Sequence, residues 1–258
     1  VLIAKAKIEE EKRKRFIAER ETAWRDVAFK AAHKLGNPVD ATDTFLQSLK
    51  RKLLDHDFER GQYIAGEMDK SIEEAKSVIG QFKSLTKIEE INSKPTQLVE
   101  IIKQACVTAE QQNVEVNIDA PNDLPLLLID PEKTKECFDE LVANSLHWFD
   151  KENRMINIKL SKEAKKNVVE PLDTKKSYVV ITYQDNGSGI RSENKEKIFS
   201  PFFTTYQHGT GLGLSIVRKV IELQNGWISE NGKPNENAIF TIHLPIAPMP
   251  KKNIKRKK

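Results

Sequence analysis

From about Ile8 to Leu54 the chain avoids glycine and proline except at Gly36 and Pro38, and its apolar residues return every seven positions. Ile17, Trp24, Ala31, Pro38 and Phe45 make one stripe. Ala28, Leu35, Thr42 and Leu49 make a second, and Ala32, Val39, Leu46 and Leu53 a third. An apolar face this wide predicts a helix packed in a bundle rather than one lying alone on a surface. After a polar turn expected from Asp55 to Gly61, the pattern resumes with Ile64, Met68, Ile72, Ala75, Ile79, Phe82 and Leu85 and ends near "INSKP". Two long helices with a short connection predict an antiparallel hairpin. One hairpin would leave an apolar side in water, so two copies are expected to pair as a four-helix bundle.

His33 belongs to none of these apolar stripes. Steps of seven through it give Lys12, Glu19, Asp26, Asp40 and Gln47, a polar stripe that is expected to hold the imidazole toward solvent, where a second domain can reach it. Pro38 cannot donate to the carbonyl of Lys34, so the helix is expected to bend or loosen just after the histidine, at a cost of about 3 kcal/mol. Gly36 keeps the surface near the ring uncrowded. A purely structural helix avoids both residues, which marks His33 as a functional candidate.

Beyond Pro95 the texture changes to mixed helix and strand. A helix over 97–112 precedes the strand-like "VEVNID" and "LPLLLID". A second helix follows from Pro131 to Phe149, with Asp130 as its N-cap and Pro131 at its first position. Strands are expected in "MINIKLS", "SYVVITYQD" and "AIFTIHLP", giving a helix-and-sheet sandwich rather than a strictly alternating parallel fold. Four stretches of this region suit chemistry. "DELVANSLHW" puts Glu140 and Asn144 one helical turn apart on one face, with His147 nearby. "DNGSGI" sets Asp185 at the end of an apolar strand, with Gly187 and Gly189 allowing close backbone approach. "KIFSPFFTT" is an aromatic anchor for a loop, although plain core packing would place its phenylalanines equally well. "GTGLGLSIVRKVIE" places Gly209, Gly211 and Gly213 at a helix start, where free N–H groups can hold phosphate oxygens. Taken singly, a helical Glu-x-x-x-Asn is commonly a solvated face and a glycine cluster commonly a turn. "GTGLGL" fits neither the dinucleotide fingerprint nor the P-loop.

In their order and spacing the four stretches resemble the ATP-binding domain shared by sensor histidine kinases, gyrase, MutL and a heat-shock chaperone. They match its asparagine, first glycine, phenylalanine and second glycine boxes over roughly Pro95 to Pro245. That resemblance implies a Bergerat-type α/β sandwich with a mixed sheet. Asp185 would accept a hydrogen bond from the adenine amino group, and Asn144 would ligate Mg²⁺, a hard cation suited to an amide oxygen and phosphates. His147 would stand where a phosphate-facing basic residue is usual. Gly187, Gly189, Gly209, Thr210, Gly211, Leu212, Gly213 and Leu214 would line the nucleotide. The loop from Arg191 to His208 would close over the triphosphate, pinned by Phe199, Phe202 and Phe203. Two departures stand out. Glu140 replaces the asparagine of most histidine kinases, as in the ATPases of the superfamily, and Asn237-Ala238 replaces the usual Gly-Thr, removing one hydroxyl from the adenine side.

"HKLGNP" is similar to the phosphoacceptor box of histidine kinases, whose common form is histidine, an acid, two variable residues, a polar residue and proline. Asn37 and Pro38 fit, and Lys34 does not. The resemblance therefore implies a sensor histidine kinase core. Residues 1–92 would form the dimerisation and phosphotransfer hairpin, 93–250 the ATP-binding domain and 251–258 a basic tail. The γ-phosphate of Mg²⁺-ATP would pass to His33 and then to an aspartate of a response-regulator receiver domain, with Glu140 as the base missing at position 34. Two alternatives stay open: an ATPase in which Glu140 activates water, and a non-catalytic dimerisation and docking module.

Bulk properties agree with this organisation. Charged residues make up 31% and hydrophobic ones 38%, values of a soluble globular protein. The net charge of +4 is exceeded by the six basic residues of "KKNIKRKK", so the body is nearly neutral and no nucleic-acid partner is expected. Cys106 and Cys137 lack metal-ligand spacing and read as reduced core thiols. Apolar runs fall short of the roughly 18 residues that cross a bilayer, and a cytoplasmic location is expected. The start at Val1, inside a helical pattern, reads as a fragment that lacks an upstream sensor domain or membrane anchor.

Overall fold

The computed structural model describes residues 30–32, 34–54, 57–87, 91–163, 172, 176–206 and 209–246. His33, Gln207, His208, the basic tail and all residues before Lys30 lie outside the described residues, as do the side chains of Phe82 and Leu85. The described parts fall into two compact units. One joins Pro201–Leu212 to the chain up to Thr86, and the other joins Lys87–Ser200 to the chain from Gly213.

In the first unit, helix α1 is helical over 30–32 and 34–54, and α2 spans Phe58–Lys87. The expected turn from Asp55 to Gly61 is shorter than its polar composition suggests. Asp57 caps α2: its Oδ1 accepts the N–H of Arg60 at 3.2 Å and its carbonyl accepts that of Gly61 at 3.0 Å. Gly61 is therefore buried inside α2, where a Cβ would lie 3.5 Å from Leu49 Cδ1 on the facing helix. Pro38, where a bend or loosening is expected, does not interrupt α1, which is helical on both sides of it. Proline's φ near −65° is itself helical, so only one hydrogen bond is forfeited, and Pro38 is buried. Thr42 Oγ1 donates to the Pro38 carbonyl at 2.7 Å. Gly36 is open as expected, since a Cβ there would meet nothing within 4 Å.

The heptad pattern resolves into two faces. Ala31 and Pro38 on α1 and Ile64, Ser71 and Val78 on α2 are buried. The third stripe of α1 is exposed, with Val39 at 58%, Leu46 at 36% and Leu53 at 49%, and so are Ile72 and Ile79 on α2. Asp40 and Gln47 of the His33 stripe are exposed as well.

The second unit is built on a five-stranded sheet of order β2-β4-β5-β7-β6. Its strands are β2 (Glu115–Asp119), β4 (Met155–Glu163), β5 (Tyr178–Asp185), β6 (Trp227–Glu230) and β7 (Ala238–Pro245). Among the described residues of this sheet, β2 and β4 pair in parallel and the other neighbouring strands are antiparallel. A separate antiparallel pair joins β1 (Lys94–Thr96) to β3 (Leu127–Ile129). β1 and β6 have no counterpart in the sequence reading, because three or four residues carry too little alternation to register. One sheet face is buried under α3 (Leu98–Gln111), α4 (Pro131–Trp148) and α5 (Gly213–Leu223), with Ile102, Leu141, Ile181, Val220 and Ile242 fully enclosed. The expected N-cap of α4 is present: Asp130 Oδ1 accepts the N–H groups of Glu132 and Lys133 at 3.1 and 3.0 Å, and Pro131 follows. Cys106 and Cys137 are free, buried thiols. Burial pushes the Cys106 thiol up to about 11 and that of Cys137 higher still. Among the described residues, no helix is long and apolar enough to cross a membrane.

Candidate active site

The buried stripe of α4, at Thr134, Cys137, Phe138, Leu141, Val142 and Ser145, turns that helix so that Ser145 meets the end of β5. Tyr183 and Asp185 lie two apart on that strand and so share its buried face. Asp185 is 4% exposed. Its Oδ2 accepts from Ser145 Oγ at 2.7 Å, and its Oδ1 accepts the N–H groups of Gly187 at 3.0 Å and Ala238 at 3.3 Å. Burial raises the pKa of this carboxyl, and the three hydrogen bonds pull it back down. Ser145 Oγ also lies 3.0 Å from the hydroxyl of Tyr183, a phenol that burial keeps protonated.

Just before Ser145 on α4, Glu140 and Asn144 stand one helical turn apart and face each other as their spacing requires. Asn144 Nδ2 donates to the carbonyl of Glu140 at 2.9 Å and to its Oε1 at 3.3 Å, which leaves the amide oxygen of Asn144 for a ligand. Burial raises the Glu140 pKa, opposed by the Asn144 hydrogen bond. Gly213, the first residue of α5, lies against this carboxylate: a Cβ there would fall 1.7 Å from Glu140 Oε1. The glycine therefore leaves room for the Glu140 side chain beside the start of α5. His147 is exposed in the last turn of α4, with its ring edge-on to Trp148.

The loop after β5 is held by close backbone packing. A Cβ at Gly187 would lie 2.7 Å from the Trp148 carbonyl, and Gly189, at φ +67°, would bring one 2.3 Å from that of Lys233. Lys195 Nζ, farther along the loop, lies 2.9 Å from Glu230 Oε2 and donates to the Gly232 carbonyl. Glu230 Oε1 accepts the N–H groups of Gly232 at 2.7 Å and Ile239 at 3.2 Å. Phe199 is buried between Phe240 and Arg218, whose guanidinium sits 3.9 Å from the ring centre. The anchoring expected of this phenylalanine thus has a cationic partner as well as an aromatic one.

The other phenylalanines and most of the second glycine stretch belong to the first unit. Phe202 is buried and takes φ +64°, and Phe203 is half-buried. Gly211, at φ +69°, packs on both: a Cβ would lie 2.5 Å from the carbonyl carbon of Phe202. Gly209 packs on Thr204, and Leu212 N–H reaches Thr210 Oγ1 at 3.4 Å. Lys34 Nζ donates to the Gly209 carbonyl at 3.0 Å.

The α/β unit therefore brings Glu140, Asn144, Asp185, Gly187, Gly189, Gly213 and Leu214 into one framework, while Gly209, Thr210, Gly211 and Leu212 lie with the hairpin. His33 lies outside the described residues. Ser145, Tyr183, Arg218 and the Lys195–Glu230 pair were not singled out from the sequence. For Ser145 and Tyr183 a signal existed: one neighbours Asn144, and the other precedes Asp185 by one strand period.

Residues 129–248 match the family of histidine kinase-, DNA gyrase B- and HSP90-like ATPases. Sporulation kinase E of Bacillus subtilis is 26% identical across 86% of this chain and 28% of its own length. The sensor histidine kinase ZraS of Salmonella typhimurium is 26% identical across 88% of this chain and 47% of its own length. The chain thus spans less than half the length of either curated relative. Among solved structures, the histidine kinase ThkA in complex with the response regulator protein TrrA matches with a TM-score of 0.64 and 26% identity, over 92% of this chain and 66% of that one. With Glu140 and Asn144 on α4 and Asp185 at the end of β5, and with the likeness to these kinases running through both the hairpin and the α/β unit, the findings together support a sensor histidine kinase catalytic core.

Proposed function

We propose that this chain binds Mg²⁺-ATP in its α/β unit, transfers the γ-phosphate to His33, and passes it on to an aspartate of a response-regulator receiver domain. The observation that carries this reading is Asp185, a buried carboxylate oriented by two backbone N–H groups and a serine hydroxyl. Such an acceptor suits the amino group of adenine. The amide oxygen of Asn144 would join phosphate oxygens around Mg²⁺. Among the described residues no group of three His, Cys, Asp or Glu side chains could hold a metal unaided, which fits a cation that arrives with the nucleotide. When bound, Mg²⁺ would offset phosphate charge.

The chain's own residues supply the rest. Glu140, with its pKa raised toward the working range, is the base for the attacking imidazole. Lys34 takes no part as a base, since its ammonium donates to the Gly209 carbonyl. The backbone N–H groups at the start of α5, at Gly213 and Leu214, cradle phosphate oxygens. A neutral imidazole nitrogen is the nucleophile, available near neutral pH because free histidine titrates at about 6.5. The exposed stripes of Val39, Leu46 and Leu53 and of Ile72 and Ile79 would pair two copies into a four-helix bundle. ThkA, solved with a response regulator, supports a receiver partner of the same class.

Incubation with γ-labelled ATP tests the reading. Acid-labile, base-stable label on the wild type and none on His33→Ala is the expected result. The burial of Glu140 also suits activation of water, and release of free phosphate with no protein label in any variant would replace the kinase with an ATPase.

A further inference from the structure

Asp185 is more fully partnered than a lone nucleobase acceptor needs to be. An ionised carboxylate has about four acceptor positions. Oδ1 takes the N–H groups of Gly187 and Ala238, and Oδ2 takes the hydroxyl of Ser145. One position remains, on Oδ2, beside the serine. The direction of the chain of hydroxyls follows from counting protons. Ser145 has one O–H and gives it to the carboxylate, so the 3.0 Å contact with Tyr183 must be a hydrogen bond donated by the phenol. Tyr183 is fully buried and Ser145 is 1% exposed, so water does not compete for either group. The opposing position on β7 offers no hydroxyl, since register pairs Asp185 with Ala238.

We propose that Ser145 is a positioning residue for nucleobase selection: backed by Tyr183, it fixes the rotamer of Asp185 and aims its one free lone pair at a purine that presents an amino donor rather than a carbonyl. Without the serine, Oδ2 has two open positions, the carboxylate can rotate about its last bond, and a base bearing a carbonyl is no longer strictly refused. This rests on the reading of Asp185 as the nucleobase acceptor, and the test separates the two.

The measurement is equilibrium binding of ATP and of inosine triphosphate, which carries a carbonyl in place of the amino group, to the full chain. Ser145→Ala alone would leave the Tyr183 hydroxyl buried without a partner, so the working variant is Ser145→Ala with Tyr183→Phe. A hydrogen bond to a charged group supports an expected weakening of ATP binding by about tenfold, with a similar fall in preference over inosine triphosphate. Adding Ala238→Ser restores a hydroxyl on the same sheet face, about 4.5–5.5 Å away between Cβ atoms, and is expected to recover most of both losses. A generic packing role would not produce that recovery. If Asp185→Asn loses ATP while the Ser145/Tyr183 double variant keeps wild-type affinity and preference, the role of Ser145 is wrong and the adenine site stands. If Asp185→Asn itself binds ATP as wild type does, the nucleotide reading falls and this inference with it.

Discussion

The hairpin and the α/β unit distribute the same kind of residue to opposite ends. In the α/β unit the large side chains of Ile102, Leu127, Ile156, Tyr183 and Leu244 are fully enclosed, and the polar groups that accompany them, Asp130, Ser145, Asp185 and Glu230, are hydrogen-bonded to neighbours in the same unit. In the hairpin, Val39, Leu46, Leu53, Ile72 and Ile79 remain open to water at regular sevens. One region finishes its own core, and the other stops where a second copy would begin. The division suits the chemistry. A nucleotide site must hold charges to within a fraction of an ångström and needs a closed, satisfied surround, whereas a phosphoacceptor has to be reachable.

The contrast is broken most forcefully at the open stripe. Leu46→Lys with Leu53→Lys is expected to leave the chain monomeric by sedimentation equilibrium at concentrations where the proposed pairing makes the wild type a dimer. Fully burying a leucine is worth about 1.5–3 kcal/mol; with Leu46 36% and Leu53 49% exposed and each counting twice in a symmetric interface, the pair removes roughly 3–5 kcal/mol. ATP affinity should change little, because Leu46 and Leu53 are not among the residues proposed to meet the nucleotide. Dimers that persist in this variant would place the interface elsewhere.

The next effect falls on the chemistry. Glu140→Gln is nearly isosteric and is expected to keep ATP binding while cutting the labelling of His33 by about 100-fold to 10,000-fold, the usual contribution of a general base. Lys34→Glu should then recover part of the loss by returning a carboxylate beside the nucleophile, and the two changes should be non-additive. Equal labelling of wild type and Glu140→Gln would remove the base from Glu140.

A third test probes how self-sufficient the α/β unit is. Lys195 faces Glu230 at 2.9 Å, and the glutamate side chain is wholly buried. Lys195→Met leaves that charge without its cation and is expected to cost about 3–5 kcal/mol, read as a lower urea midpoint. A double change with Glu230→Gln should recover much of it. A Lys195→Met midpoint equal to the wild type would show the pair to be incidental.

How much of this was legible in the sequence follows the same division. Sevenfold spacing announced the hairpin, and strand alternation announced β2, β4, β5 and β7. What stayed hidden was decided by packing. Gly61 looked like part of a turn but lies within α2, because Asp57 supplies the cap and Leu49 needs the room. Pro38 looked like a place where the helix would bend or loosen, but a single missing N–H does not interrupt a helix with a buried face. Glu140, Asn144 and Asp185 were singled out because the order and spacing of their stretches resemble a known ATP-binding domain, while helix and strand periods alone left them with bland readings. Ser145 was not, because only the docking of α4 on β5 brings its hydroxyl to Asp185.

The smallest expected effect asks what the site costs its own unit. Glu140 has a pKa raised above its ordinary 4.5 because burial disfavours the charged form. In the window between that ordinary value and the raised one, the folded protein holds a proton that the unfolded chain has released. Stability therefore falls as pH rises through this window, and the penalty is complete above it. The amide that Glu140→Gln introduces carries no charge to desolvate, and its carbonyl can still accept from Asn144 Nδ2. The variant should accordingly melt modestly above the wild type at about pH 8. The difference should shrink as the pH is lowered and vanish below about pH 4, where both folded and unfolded wild type are protonated at this position. An advantage independent of pH would mean that the gain comes from packing against Gly213 rather than from the charge. With the expected trend, the same carboxylate would be a catalytic asset and a small structural liability, placed in the unit whose enclosed core can bear it.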